Sequence, residues 1–495
     1  MSQQYEHHVN RREVLKRGLS GGAGIAGASL MGDILFPSHA QSAQRPNVIV
    51  IYTDDQDFDH VGCYNPRVYT PHQDSIGHDG IRFDRGYVTT GVCTPSRFGC
   101  LTGQFPGRNV GERIPDNRQI EVSFNQHNIA SVMKKAGYTT GLVGKWDQGG
   151  AKDLKPLRRT GAWTTHEDEP DPRDPVVSAI LSHNHDRYRE KIQSHGFDYA
   201  ESIYFGNPES FGNHALNIHN MEWVVQGAID FIDQNSNKPF FLYMSPTLHH
   251  IPHPQESLLQ ADPRITAAGY IDKAPECMPP RSGVMKRITD LGYKPETAYC
   301  TWLDDGIGAV LKKLDDLNLA DNTMVILVSD NANIAKGTVY EGGVRVPYMI
   351  RWPRMIKPGQ ISNSLAQNLD VAPTVFDACQ ATVPSDMFID GKSLLPMLLG
   401  REKAVHDELF FEIGWTRAVC TERWKYLALR YSKEAQQEAK EKGKRFYHNR
   451  ALEPHQHKVL LDHPNFWDSD QLYDMTTDNN ETVNLAYDTK HDENA

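Results

Sequence analysis

Four apolar runs along the chain each end in polar residues. Residues 47–52 (NVIVIY) lead into Asp54 and Asp55, and 139–143 (TTGLV) into Lys145, Trp146 and Asp147. Residues 240–244 (FFLYM) lead towards His249 and His250, and 323–328 (TMVILV) into Asp330 and Asn331. Uninterrupted β-branched and aromatic runs of this length suit strands buried on both faces, as in a parallel sheet. Between them, Ile129, Val132, Met133 and Ala136 share one face at helical spacing. So do Trp223, Val224, Ala228, Ile229 and Ile232, and again Trp302, Leu303, Val310, Leu314 and Leu317. The alternation predicts an α/β fold, a large and mostly parallel sheet flanked by helices, with ligands bound at the carboxyl ends of the strands. All four polar clusters then lie along one edge, although any one of them alone would read as a solvated strand end. Beyond about residue 400 the pattern changes. Residues 408–412 (ELFFE) and 425–429 (KYLAL) read as antiparallel strands, and 433–445 as a solvated helix or loop. The expected division is a main domain over 44–400 and a smaller C-terminal antiparallel subdomain over 401–495.

The first residues are expected to address the chain rather than to fold with it. Residues 11–16 (RREVLK) match a twin-arginine export signal and precede a Gly/Ala-rich, weakly apolar run over 19–36. Ser38 and Ala40, or a cut after Ala43, supply a processing site, so 1–43 read as a removable signal peptide. The run is too short and too glycine-rich for a membrane span. The expectation is a bacterial periplasmic or secreted protein, carried by the twin-arginine machinery and with no stable membrane insertion. A formal net charge of −11, with no basic run interleaved with aromatics, argues against a nucleic-acid partner. Cys63, Cys93, Cys100, Cys277, Cys300, Cys379 and Cys420 show no metal-type spacing, and export permits disulfides without fixing a pairing.

The densest chemistry lies at residues 93–103 (CTPSRFGCLTG). Pro95 suits the first turn of a helix, whose free N–H groups favour an anion. Arg97 adds a forked cation matched to a tetrahedral oxyanion. A short Cys-x-Pro-Ser-Arg alone would read as a buried cysteine before a helix. The extended string resembles the type I sulfatases of the alkaline-phosphatase superfamily, with Gln104 standing where that family often has arginine. In that family a maturation enzyme reads Cys-x-Pro-Ser-Arg-x-x-x-Leu-Thr-Gly and oxidises the cysteine to formylglycine (3-oxoalanine), an aldehyde. Residues 336–343 (KGTVYEGG) are close to a second family segment. With 471–474 and 484–486 resembling the closing subdomain, the similarity spans about residues 45 to 487.

Asp54, Asp55, Asp330 and Asn331 offer hard oxygen donors, which suit Ca²⁺ and, as fallback, Mg²⁺. The resemblance implies one Ca²⁺ on these four residues, with the aldehyde residue at Cys93 completing the shell. It also implies a chemistry. One hydroxyl of hydrated formylglycine attacks sulfur and displaces the alcohol. Deprotonation of the other hydroxyl then regenerates the aldehyde and expels sulfate. Arg97 would orient the nucleophile and metal, Lys145 and Lys336 would hold sulfate, and His250 would bind sulfate and help protonate the departing oxygen. His250 is placed by counting from Pro239 and by its His250-Ile251-Pro252 sequel. His253 is second choice, and His249 reads as a residue of the pocket wall.

The family usually writes Gly-Lys-Trp-His, but the fourth residue here is Asp147. Either Asp147 replaces the base that takes the proton as sulfate leaves, or the base lies elsewhere and Asp147 faces substrate; the first reading is preferred. The expected function is an exported sulfatase acting on sulfate esters, most naturally of carbohydrates. The rivals are a phosphonate monoester or phosphodiester hydrolase of the same superfamily, and a non-catalytic protein that binds sulfated glycans. No sugar-reading motif is present, so the sugar and the sulfate position stay open.

Overall fold

The computed structural model describes residues 45–487 except 111–121, 123–126, 150–169, 212, 253–255, 435–436, 438–440, 442–458 and 460. The twin-arginine segment and His253 lie outside the described residues, as does most of the charged stretch 433–445.

Eight strands form the main sheet: β1 (Asn47–Thr53), β2 (Ile81–Phe83), β3 (Thr139–Lys145), β4 (Tyr199–Tyr204), β5 (Phe240–Ser245), β6 (Thr323–Ser329), β7 (Tyr348–Arg351) and β8 (Gln360–Ser362). Their order is β8-β2-β7-β6-β1-β5-β3-β4. The pairs within β6-β1-β5-β3-β4 are parallel, β2 and β8 are also parallel, and β7 runs antiparallel to both neighbours. The four apolar runs are therefore adjacent, as β6-β1-β5-β3. Their continuous hydrophobicity follows from burial on both faces. Val48, Val50 and Tyr52 of β1 enter one core and Ile49 and Ile51 the other.

Helices cover both faces. On the side of Val50 lie α1 (Cys93–Thr102), α2 (Ile129–Lys135) and α5 (Val371–Ala378); opposite lie α3 (Met221–Asn235) and α4 (Ala298–Asp316). The helical faces read from spacing correspond to α2, α3 and α4, with Ala136 and Leu317 serving as the C-caps of the first and last.

A second sheet, antiparallel throughout, contains β9 (Glu408–Ile413), β10 (Thr416–Thr421), β11 (Trp424–Leu429) and β12 (Asp470–Asp474). Leu409, Phe411, Ile413, Cys420, Leu427 and Tyr473 share one core with α1 and β1. All seven cysteines are free thiols.

Candidate active site

The parallel register sets Thr53 of β1 opposite Ser329 of β6, so the next residues, Asp54 and Asp330, leave the sheet side by side. Asp330 N–H donates to Thr53 O at 2.9 Å, Asp54 N–H to Leu248 O at 3.0 Å, and Asp55 N–H to the Asp330 carboxylate at 3.0 Å. Asp55 takes a left-handed backbone, φ 53°, which aspartate tolerates better than most side chains. Helix α1 begins at Cys93 and points its thiol at this junction, 3.6 Å from Asp54 Oδ1 and 3.8 Å from Asp55 Oδ1. One donor atom from each of Asp54, Asp55, Cys93 and Asp330 lies within 4.8 Å of the others, and all four residues are buried.

One turn along α1, Arg97 shares the face of Cys93, as residues four apart do. Its guanidinium is fully buried, 2.7 Å from Asp330 Oδ2 and 3.7 Å from Asp54 Oδ1, and it also donates to the Ser245 hydroxyl. Lys145 ends β3 and donates to Asp54 Oδ2 at 2.8 Å and to Asn207 Oδ1. Before it, Gly144 has φ 90°, and a Cβ there would sit 2.0 Å from Ser245 O, so only glycine lets β3 lie this close to β5. Lys336 Nζ donates to both oxygens of Asp55 at 2.7 Å.

These three buried carboxylates and three cations set one another's protonation. Burial alone would raise Asp54 and Asp55. Lys145 and Arg97 around the first, and Lys336 around the second, outweigh it and hold both below the usual carboxylate range. Asp330 goes the other way: burial, reinforced by the charge of Asp54, pushes it up to about 7 despite Arg97. Burial and then Asp330 push the Cys93 thiol well up, so the unmodified side chain is a poor nucleophile. Burial and then Lys336 push His250 down to about 3, leaving a neutral imidazole. Its Nε2 accepts from Asn207 Nδ2 at 2.9 Å and its Nδ1–H faces Ile251 O at 3.1 Å, which fixes the tautomer.

Asp147 also adopts a left-handed backbone, φ 53°. Its Oδ2 accepts from the Thr94 hydroxyl at 2.9 Å and lies 3.7 Å from Lys145 Nζ, so the extra anion has its cation. Asn331 donates its amide to Asp55 Oδ1 at 2.7 Å and to Ala332 O at 3.1 Å. Its buried Oδ1 accepts no hydrogen bond from the described residues. A hard divalent cation, the ion that this fold family implies, fits here: three buried carboxylates and an unpaired amide oxygen form an all-oxygen donor set.

Every site residue expected from the sequence converges on this cluster, and His249 turns away to lie 3.2 Å from His60 through the two Nδ1 atoms. Sequence reasoning missed Asn207, which bridges Lys145 and His250, and Glu209, whose carboxylate is 3.5 Å from His250 Nδ1 and is pushed up by burial to about 7. Both follow β4, an edge strand (YAESIY) whose Glu201 and Ser202 break the apolar run that marked the other strands. A polar turn after a strand was the available signal.

The segment carrying Lys336 is clamped from two sides. Gly337 N–H donates to Gly91 O at 2.7 Å, and a Cβ on Gly91 would meet Thr338 O at 2.5 Å. From the second sheet, buried Lys425 pairs with Glu341 at 2.9 Å and Glu481 at 2.8 Å, while the Tyr340 ring stacks on His463 at 3.9 Å.

The sulfatase family profile matches residues 46–381, and a profile described as N-sulphoglucosamine sulphohydrolase, C-terminal, matches 332–495. The chain is 26% identical over 455 residues to an N-acetylgalactosamine-6-O-sulfatase of Bacteroides thetaiotaomicron, covering 79% of this chain and 83% of that one. It is 28% identical over 410 residues to human arylsulfatase A, covering 74% and 71%. Among solved structures, one from a Bacteroides thetaiotaomicron core genetic locus for metabolism of multiple glycosaminoglycans superposes with a TM-score of 0.62 at 21% identity, covering 91% of this chain and 97% of that one. Because the family profile spans most of the chain, including every strand and loop that carries the carboxylate and cation cluster, this protein belongs to the sulfatase family and is a sulfuric ester hydrolase.

Proposed function

We propose that the protein hydrolyses sulfate esters of carbohydrates, using formylglycine at position 93 and one calcium ion held by Asp54, Asp55, Asp330 and Asn331. The observation that carries this reading is the approach of Cys93 Sγ to Asp54 and Asp55 inside a ring made by Arg97, Lys145 and Lys336. The carbohydrate part is supported by the relatives, one named for N-acetylgalactosamine-6-O-sulfate and one structure from a glycosaminoglycan locus. Formylglycine hydrate supplies an oxygen nucleophile on the chain itself, and calcium offsets charge on the transferring group.

The chain's own residues do the rest. Arg97 fixes the direction of side chain 93. Lys145 and Lys336 hold the sulfuryl oxygens as charge spreads over them, which fixed cations in a buried site do without reorganisation. His250 gives a proton to the departing oxygen, and an anionic ester lying against it offsets the depression caused by burial and Lys336. Asp147, held by Thr94 beside position 93, takes the proton released as sulfate is expelled. We further propose that 1–43 direct twin-arginine export to the periplasm or medium after maturation by a formylglycine-generating enzyme, and that 44–400 and 401–495 act as catalytic domain and supporting subdomain.

The test pairs mass spectrometry of the tryptic peptide spanning residue 93 with turnover on a panel of sulfated saccharides and on matched aryl sulfate and aryl phosphodiester. The expected result is an aldehyde at 93 with sulfate release from saccharides. Fully active protein that keeps a thiol there overturns the chemistry. Preference for the phosphodiester would make it a phosphoester hydrolase, and glycan binding without sulfate release would make it a lectin-like relative.

A further inference from the structure

Across the Asp54 backbone from the carboxylate cluster lies a second group of ligand-type side chains that the proposed chemistry does not use. His60 closes the short turn Phe58–His60, His249 precedes His250, and Cys300 sits in the first turn of α4. One donor atom from each lies within 4.8 Å of the other two. The His60 and His249 Nδ1 atoms are 3.2 Å apart. These rings now share a hydrogen bond, and His60 Nδ1 also accepts the Asp57 N–H at 3.3 Å. A tetrahedral ion with metal–nitrogen bonds of about 2.0–2.1 Å holds two nitrogens about 3.3 Å apart, so it takes the place of these bonds without moving the rings apart.

The donor types also differ in kind from those around Cys93. Two imidazoles and a sulfur select a zinc-class ion and are a poor match for calcium or magnesium. His60 is braced as a metal-bound imidazole needs to be: its Nε2 is 3.1 Å from the Tyr299 hydroxyl and 3.6 Å from Asp57 Oδ2. His249 and Cys300 are buried, and the His60 side chain is 20% exposed, which leaves an ion a way in.

We propose that His60, His249 and Cys300 form a binding site for one zinc ion, distinct from the proposed calcium site. Binding replaces the thiol proton of Cys300, which leaves to solvent, with a sulfur–zinc bond, and both imidazoles bind neutral. Because His249 N–H donates to Asp54 O, an occupied site steadies the turn that presents His250 together with the backbone of Asp54.

The test uses the full chain with saturating calcium in a Cys93→Ser background, which removes the other thiol–carboxylate cluster as a competitor. Cobalt(II) serves as the spectroscopic probe and zinc(II) is titrated against a chromophoric chelator. The expected result is one cobalt per chain with a thiolate-to-cobalt charge-transfer band that zinc abolishes. Cys300→Ser should lose that band, and His60→Gln, at a partly exposed position, should weaken zinc binding at least ~10-fold. No charge-transfer band, a band that persists in Cys300→Ser, or unchanged zinc affinity in His60→Gln overturns the proposal.

Discussion

Asp147 shows how one residue can depart from its family without emptying a site. A carboxylate next to a sulfuryl group is costly unless a cation stands close, and Lys145 Nζ is 3.7 Å away. The Thr94 hydroxyl holds Asp147 beside position 93, where the proposed cycle releases its last proton. Asp147→Ala should therefore lower kcat by ~10²–10⁴-fold, the usual range for a lost general base, while the first sulfate transfer still occurs. Intact-mass analysis of quenched enzyme should then find sulfated protein accumulating, and undiminished steady-state turnover would remove Asp147 from the mechanism. Asn207 offers a different residue-scale test. Asn207→Ala takes from Lys145 one of its two acceptors, leaving Asp54, and takes from His250 Nε2 its donor, a loss of ~1–3 kcal/mol for unmet buried groups. The expected outcome is a 5–150-fold fall in kcat/KM by that same conversion; an unchanged value would make Asn207 a bystander. Cys93, Arg97 and Lys336 were legible because they stand in strings longer than chance supplies, Asp54, Asp55, Asp330 and Asn331 because two polar pairs each end a buried strand, and His250 only by counting from Pro239. Asn207, Glu209 and the His60–His249–Cys300 group were not, since partners from distant segments leave no spacing to read.

At the scale of elements, the runs buried on both faces announced β1, β3, β5 and β6, and their adjacency follows from the parallel sheet that such runs require. The strands that escaped notice are short or at the sheet's margins, such as β2, β4 and β8, or alternate in polarity, such as β10 (TRAVCT). Nor could the sequence reveal the clamp between the sheets, in which one buried lysine serves two acids. Lys425→Met leaves Glu341 and Glu481 facing each other, and breaking a buried pair of this kind costs ~3–5 kcal/mol, readable as a fall in denaturation midpoint. Glu481 carries its own pH signature. Burial pushes its carboxyl from 4.5 up to about 7, despite the pull of Lys425. The folded protein thus keeps a proton there that the unfolded chain releases between 4.5 and about 7, so this group's contribution to stability declines as pH rises through that window. Glu481→Gln, which cannot ionise, should gain on the parent over the same interval. Parallel stability–pH curves for the two proteins would refute the assignment.

For the molecule as a whole, an acidic chain of formal charge −11 must attract an anionic ester, so the sign of the field has to be reversed locally. Inside the site, Arg97, Lys145 and Lys336 do no more than balance Asp54, Asp55, Asp330 and Asp147, and His250 is neutral. Balance alone does not draw an anion out of water. The proposed divalent cation on the four oxygen ligands would tip the cluster positive and free the lysines from serving solely as counter-ions to the aspartates. Two consequences are linked. Exhaustive chelation should abolish turnover of sulfated saccharide, and it should also lower the Tm, because a ligand held at a thousand times its Kd contributes about 4 kcal/mol to the folded state. Calcium should restore both more effectively than magnesium, whose strict octahedral preference suits a cluster shared with two lysines less well than calcium's flexible shell. If chelated protein kept its Tm but lost activity, the ion would act on the substrate alone. If it kept both, the lysines and Arg97 would have to reverse the field unaided, and the charge balance of the cluster argues that they cannot.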